Sequence, residues 1–363
     1  MRNLLLTCSL VAVSCSSPTE SRGGGVPSWT PPVVAEVVMQ GDGKFGGCAA
    51  GDLDGLVGDE IVAVCGDGSV WAARFENGGW QSGVIAKLPG EAIGVATLPG
   101  LKQQTGFVTV GKLEGDEDSP GEGVAYLFTR SLEFKGSWLE GWEREVLLKD
   151  SALLHAVVAD EEAIYLAGYA KGVHRYSPAS DGLRHQLIGI LPGRAKGMAL
   201  GFGGLVVACA SGELVSLVPE VEAAGQWQTQ ILWRFSDALA RVDADDRHVA
   251  VSCNDGGLYC YSKGLRGDIL FFQSSDRLRG AVFLEGHKLG ITAPWYLATA
   301  GYDGRVSVLP RKGAHQAAVH VQADSDRLHH LCSARIARGQ DWLTPSLITC
   351  GYSGKVLALP FEN

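Results

Sequence analysis

Residues 296–310 read YLATAGYDGRVSVLP, and residues 347–361 read LITCGYSGKVLALPF. Each is an apolar, β-favouring run that stops at a small residue, turns on a glycine-containing segment and resumes with alternating apolar positions. Such a pattern is a hairpin, because the turn residues tolerate positive φ and the flanking runs suit a pleated surface. The unit recurs as IVAVCGDGSVWAARF (61–75), IYLAGYAKGVHRYSP (164–178), LVVACASGELVSLVP (205–219) and VAVSCNDGGLYCYSK (249–263). A seventh copy, FVTVGK…GEGVAYLFTR, carries a longer turn between residues 111 and 123.

Gly68, Gly123, Gly172, Gly212, Gly257, Gly304 and Gly354 open the second strand of these pairs, at spacings of 55, 49, 40, 45, 47 and 50 residues. A period of that length is one four-stranded blade, so the chain reads as an all-β, seven-bladed β-propeller. Its 49 glycines in 363 residues are about 13%, near twice the usual roughly 7%, which many tight turns explain.

A second repeat marks the outer strand. Trp80, Trp142, Trp227, Leu183 and Leu265 are followed at +4 and +5 by Val84-Ile85, Val146-Leu147, Ile231-Leu232, Leu187-Ile188 and Ile269-Leu270, with a weaker copy at His315. Trp29, followed by Val33-Val34, precedes the first hairpin, and the last hairpin has no outer strand after it. The segment from Trp29 to Val38 is therefore expected to complete the last blade, a velcro closure that leaves no unpaired edge in the ring.

The innermost strands begin with GKFGGCA (43–49), GEAIGVA (90–96), SALLHAV (151–157), GRAKGMA (193–199), DALARVD (237–243), DRLRGAV (276–282) and DRLHHLC (326–332). Gly47, Gly94, Gly197 and Gly280 share one position there, where strands crowd at the axis; His155, Arg241 and His330 replace them in three blades. By the same alignment Cys65, Cys209, Cys253 and Cys350 end one strand in four blades, as small core residues. Cys48–Cys65 and Cys332–Cys350 are the two cross-strand pairs this alignment allows.

Arg2 followed by the short apolar run Leu4–Val13 has the layout of a secretory signal, too short to span a bilayer. Ala12-Val13-Ser14-Cys15 resembles the lipobox of bacterial lipoproteins, which implies acylation at Cys15. The expected organisation is a signal at 1–14, a flexible tether at 15–28 and the propeller at 29–363, anchored outside the cytoplasm by lipid or else secreted. A net charge of −9 argues against a general nucleic-acid-binding surface. A monomer is expected, touching the membrane through its lipid only.

Asp52-Leu53-Asp54-Gly55 followed by Gly58-Asp59-Glu60-Ile61-Val62 resembles the FG-GAP or VCBS-type propeller repeat. The resemblance implies Ca²⁺ held by Asp52, Asp54, Asp59 and Glu60, although Leu56 and Val57 stand where the family has an oxygen ligand and a turn glycine. The bland alternative is that these carboxylates cap their own turns. A second acidic stretch, Glu114, Asp116, Glu117, Asp118 and Glu122, reads as a solvated turn.

The lead-ins to the innermost strands gather cations around one channel mouth: Lys44, Arg194, Lys196, Arg241, Arg277, Arg279 and Arg327, with His155, His329 and His330. They form a candidate anion or acidic-sugar site. The competing reading pairs them with Glu91, Asp237, Asp276 and Asp326 as structural salt bridges. The tryptophans of the outer repeat read as packing between blades, whereas Trp138, Trp295 or Trp342 would suit sugar stacking.

GYDGRVSV and GYSGKVLA also resemble the hairpin of WD-repeat propellers, without the WD dipeptide or the GH motif. No nucleophile elbow, zincin helix, phosphate loop or C-x-x-C is present. The leading expectation is a binding or scaffold protein that offers the channel-mouth face to a protein or anionic glycan. The alternative is an extracytoplasmic polysaccharide lyase or hydrolase at the same mouth.

Overall fold

A computed structural model of the chain describes residues 30–99, 104–114, 121–180, 182–223, 225–264, 268–284, 295–310, 318–338 and 343–362. Signal, tether, Cys15 and Trp29 lie outside these, as do Asp116, Glu117, Asp118, Leu265, His315 and Trp342. The strands form seven antiparallel sheets of four, each built from consecutive strands except the last. Among the described residues no helix is long and apolar enough to cross a membrane.

The innermost strands are Phe45–Gly51, Glu91–Leu98, Leu154–Ala159, Ala195–Gly201, Leu239–Ala244, Val282–Phe283 and Leu328–Ala337, one per blade in chain order. Blade 7 takes its outer strand from the other end of the chain, Glu36–Gln40, which pairs antiparallel with Lys355–Pro360. Closure is thus as expected, but its register differs: the paired segment starts beyond Val33 and Val34, which are exposed. Side chains fasten the strand as well. Met39 is 1% exposed and packs with Phe45, Ile61, Ile348 and Val356. Glu36 accepts from Arg338 at 2.8 and 2.6 Å and from the Trp80 indole at 3.2 Å. The Arg338 guanidinium holds its carboxyl below the usual range.

The apolar doublets have a specific cause. In the outer strands of blades 1, 2, 3, 4, 5 and 7 the ladder shifts by one residue, leaving Ile85, Leu147, Ile188, Leu232, Phe271 and Val38 as bulged residues. A bulge lets two successive residues face one partner, so alternation breaks there. In blade 5 the doublet is therefore Leu270-Phe271, one residue later than expected; in blade 7 it is Val37-Val38 rather than Val33-Val34.

The cysteine alignment also needs correction. Cys65, Cys209 and Cys253 oppose Phe45, Ala195 and Leu239. In blade 7 that position belongs to Gly351, which opposes Leu328, and Cys350 sits one residue earlier opposite His330. A one-residue step turns a side chain to the other face of the sheet. Cys48 opposes Ala63 and Cys332 opposes Ile348, so neither expected cross-strand pair forms. All seven of these described cysteines, Cys260 included, are free.

Packing between blades supplies the core. Phe107 and Phe128 are fully buried and stack at 4.6 Å, inside a cluster that joins blade 1 (Val62, Val64, Val70) to blade 2. Truncating either phenylalanine to alanine costs about 3–5 kcal/mol. Trp80, Trp142 and Trp227 are only partly buried and lie against such clusters, Trp227 of blade 4 meeting Tyr165 of blade 3 at 6.1 Å. Trp138 is itself 7% exposed and so is no sugar platform.

Candidate functional site

Each innermost strand slips by one residue at the same point. The bulged residues are Gly46, Ile93, His155, Lys196, Ala240 and His329 in blades 1, 2, 3, 4, 5 and 7. In blade 6 the amides of Arg279 and Gly280 both donate to Ala300 O, at 2.7 and 3.1 Å. Bulges re-aim side chains, and here seven surround one axis. The register corrects one alignment. His155 matches Lys196 and His329, and Ala156, not His155, matches Arg241 and His330.

Glycine at the next position answers to close approach. A Cβ on Gly47 would meet Ile93 O at 2.9 Å, and one on Gly197 would meet Arg241 Cα at 3.0 Å. The neighbouring inner strand leaves no room.

Inside the ring lies a cavity of about 320 Å³ walled by all seven blades, with Cys48, His155, Lys196, Arg241, His330 and Cys332 on its surface. A second cavity of about 220 Å³ opens toward the lead-ins, beside Lys44, Glu91, Tyr169 and His329. His155 and Lys196 border both and form the neck between them.

Arg241 is half-buried in the wall of the inner cavity. Its guanidinium donates to Lys196 O and, at 3.3 Å, to Ala240 O. Burial and the nearby Arg279 charge bring its pKa down to about 10, so it stays charged at neutral pH. His155 is 7% exposed, and among the described residues its Nδ1 has no hydrogen-bond partner. Burial, then the Arg241 charge, holds His155 and His329 well below the ordinary histidine range and brings His330 to about 3. The imidazoles are therefore neutral, and the arginines and lysines carry the charge.

The lead-in cations rest on three tyrosines of the hairpin turns. Arg194 and Lys196 lie 4.9 and 4.8 Å from the Tyr169 ring, and the Lys196 ammonium meets the Tyr169 hydroxyl at 2.5 Å. Arg279 lies 4.8 Å from Tyr302; Arg327 and Lys44 lie 4.3 and 4.8 Å from Tyr352. Backbone bonds repeat this placement, since Tyr169, Tyr302 and Tyr352 each donate N–H to the lead-in carbonyl of Leu153, Arg277 or Arg327. The tyrosines escaped the sequence reading, although G-Y recurs in three of the quoted turns. Of the expected cations, Arg241 and Arg277 touch none of these rings among the described residues, and Arg277 is exposed.

The salt-bridge reading accounts for little. Asp237, Asp276 and Asp326 each accept the amide of the following residue, at 2.6, 2.7 and 2.7 Å. Among the described residues, the ion pairs of the mouth reduce to Arg327–Asp326 at 3.6 Å. Lys44, Arg194, Lys196, Arg241 and Arg279 face no carboxylate within 4 Å among those residues.

Three of the four expected calcium ligands converge: carboxylate oxygens of Asp52, Asp54 and Glu60 lie within 4.8 Å of one another. Asp59 turns away and accepts Arg335 N–H at 2.6 Å, tying blade 1 to blade 7. The others also cap backbone, Asp52 at Gly55, Asp54 at Leu56 and Glu60 at Leu53. Arg74 stands 3.4 Å from Asp54. Burial and the Asp54 charge raise Glu60 to about 8. A Ca²⁺ ion would find three carboxylates here, against the six to eight oxygens it takes.

Among solved structures, the chain is similar to the WD40 β-propeller domain of Doa1, with a TM-score of 0.62, 10% identity, and coverage of 92% of this chain and 97% of that one. At that identity the likeness speaks for the fold alone. No family model matches the chain, and no curated protein matches its sequence.

Proposed function

We propose that this propeller is a binding protein that takes a carboxylate of an acidic glycan at its channel mouth, displayed outside the cytoplasm on a lipid anchor at Cys15. The observation that carries the reading is Arg241, a half-buried guanidinium in the inner cavity just past the neck, with no carboxylate partner among the described residues. A buried unpaired charge costs several kcal/mol, and an entering anion offsets that cost. Lys44, Arg194, Arg279 and Arg327 add charge above it, and His155 Nδ1 offers a hydrogen-bonding atom without a partner among the described residues. The outer cavity, about 220 Å³, suits one sugar ring. The Tyr169 ring in its wall favours a pyranose over a bare ion.

Calorimetry with a short oligouronate, its neutral counterpart and a poly-glutamate peptide tests the reading. Oligouronate binding that weakens with salt and vanishes in Arg241→Met supports it. Silence from all three ligands sinks it, and binding of the peptide alone moves the site to a protein partner. The catalytic alternative, a lyase or hydrolase, draws on the Lys196–Tyr169 contact beside a neutral histidine. Chain shortening during incubation with polyuronate would favour that alternative. Membrane-extracted protein carrying acyl chains on Cys15 supports the anchor; an intact chain still starting at Met1 refutes it.

A further inference from the structure

Cys48 lies on the inner strand of blade 1 and Cys332 on that of blade 7, and their sulfurs stand 3.8 Å apart. Both border the channel cavity; Cys48 is 1% exposed and Cys332 is half-buried. Among the described residues Cys65, Cys209, Cys253 and Cys260 touch no other thiol, whereas Cys350 also lies against Cys48. The close pair therefore sits at one seam of the ring, where first and last blades meet.

That seam is the place where the chain holds its circle together without covalent bonds. Blades 1 to 7 follow one another along the backbone, whereas blade 7 is completed by pairing of Glu36–Gln40 with Lys355–Pro360. If that short strand peels away, blades 1 and 7 can part.

We infer that Cys48 and Cys332 form a disulfide that closes the propeller covalently. A disulfide needs sulfurs about 2.05 Å apart, so side-chain rotation must bring the pair roughly 1.8 Å closer. The oxidant is a small disulfide, RSSR, entering by the channel. The Cys332 thiolate attacks it and expels RS⁻, which takes up the proton Cys332 lost. Cys48 then attacks the Cys332 sulfur of the mixed disulfide and expels the second RS⁻. The departing RS⁻ takes up the proton that Cys48 loses. The balance is one RSSR consumed, two RSH released and one protein disulfide made. Hydrogen bonding to Cys332 and Cys350, with burial, pushes the Cys48 thiol well above its ordinary range. Cys332, which is more accessible, is therefore the first attacker and Cys48 the second.

The test uses the full-length protein and hydroxyethyl disulfide, a neutral oxidant that the cationic neck will not repel. After acid quenching, alkylation in denaturant and digestion without reduction, the expected product is a linked peptide pair containing Cys48 and Cys332. The oxidised protein should melt roughly 5–10 °C above the reduced one, since the closed loop runs through nearly the whole ring. Cys332→Ser should abolish the redox-dependent shift, and Cys350→Ser should keep it. Alkylated Cys48 and Cys332 after oxidation would overturn the inference, as would a Cys332–Cys350 link or arrest at a mixed disulfide on Cys332. The peptide map of the unmodified chain decides this even if a serine variant fails to fold.

Discussion

The channel neck and the loop from Asp52 to Glu60 both gather like charge at a partly buried site, and they handle it differently. In the loop, every expected carboxylate has work within the backbone: Asp52, Asp54, Asp59 and Glu60 each accept an amide, and Arg74 stands by Asp54. Glu60 meets the remaining repulsion by holding a proton. At the neck and the cavity below it, the histidines give up protons while Arg241 keeps its own, its guanidinium bonded to backbone carbonyls and, among the described residues, to no carboxylate. The loop is thus largely satisfied by its own turn, whereas the neck is left open to an anion from outside.

The largest effect should come from Arg241. If its charge is unpaired, Arg241→Met removes a desolvated cation without orphaning a carboxylate. Affinity for an oligouronate should fall about a hundredfold, close to 3 kcal/mol, while the melting temperature holds or rises. Calorimetry and a melting scan read both quantities. A drop of several degrees would mean that the arginine is a structural partner, and the contrast with the loop would break.

Glu60→Gln probes the other side and should be worth a few kcal/mol at most. The folded pKa, about 8, lies above the ordinary 4.5, so the native state binds more protons than the unfolded chain between those values. Stability contributed by this group is complete below about pH 4.5 and is lost as pH rises through about 8. The amide cannot ionise and can still accept Leu53 N–H. Denaturant midpoints of variant and parent should coincide near pH 4.5 and separate near pH 8.5, with the variant more stable. Equal midpoints at both pH values would remove the buried charge from the account.

Much of this architecture was legible from turn chemistry, and its failures have one cause. Hairpins such as GYDG and GYSG repeat because left-handed φ is needed at Gly304 and Gly354, so the blades could be counted. Strand register at the bulges was not legible, because a bulge inserts a residue that no alternation rule announces. The slip misplaced His155, Cys350 and the closing doublet by one to four residues. The same blindness hid the Cys48–Cys332 approach, which depends on two blades some 280 residues apart in sequence. Cations of the mouth were legible from the repeated lead-ins, but their tyrosine supports come from different turns that meet only in the folded ring.

Acid should weaken the neck by about 1 kcal/mol. His155, His329 and His330 have folded pKa values below the unfolded 6.5, so the unfolded chain binds more protons as pH falls through that value. Their contribution is full above pH 6.5 and declines below it. His155→Asn, which removes one titrating ring, should flatten the fall in stability between about pH 6.5 and pH 4.5. An unchanged slope would show that this imidazole is not held neutral by burial.

Calcium should produce the smallest effect and the finest distinction between the two regions. The ion would have to displace Arg74 from Asp54 and take Glu60 in its ionised form, which costs binding energy below about pH 8. Three carboxylates and several waters make a weak site, so a few millimolar Ca²⁺ at about pH 8.5 should add no more than about 1 kcal/mol, a rise of one or two degrees. The gain should disappear near pH 5, where Glu60 is protonated, and in Glu60→Gln at any pH. Magnesium, smaller and reluctant to shed water, should do less. A pH-independent rise in stability would place the ion elsewhere. No rise at all would mean that Arg74 already serves as the cation of the loop, and that its resemblance to a calcium repeat survives in the turn but not in the metal.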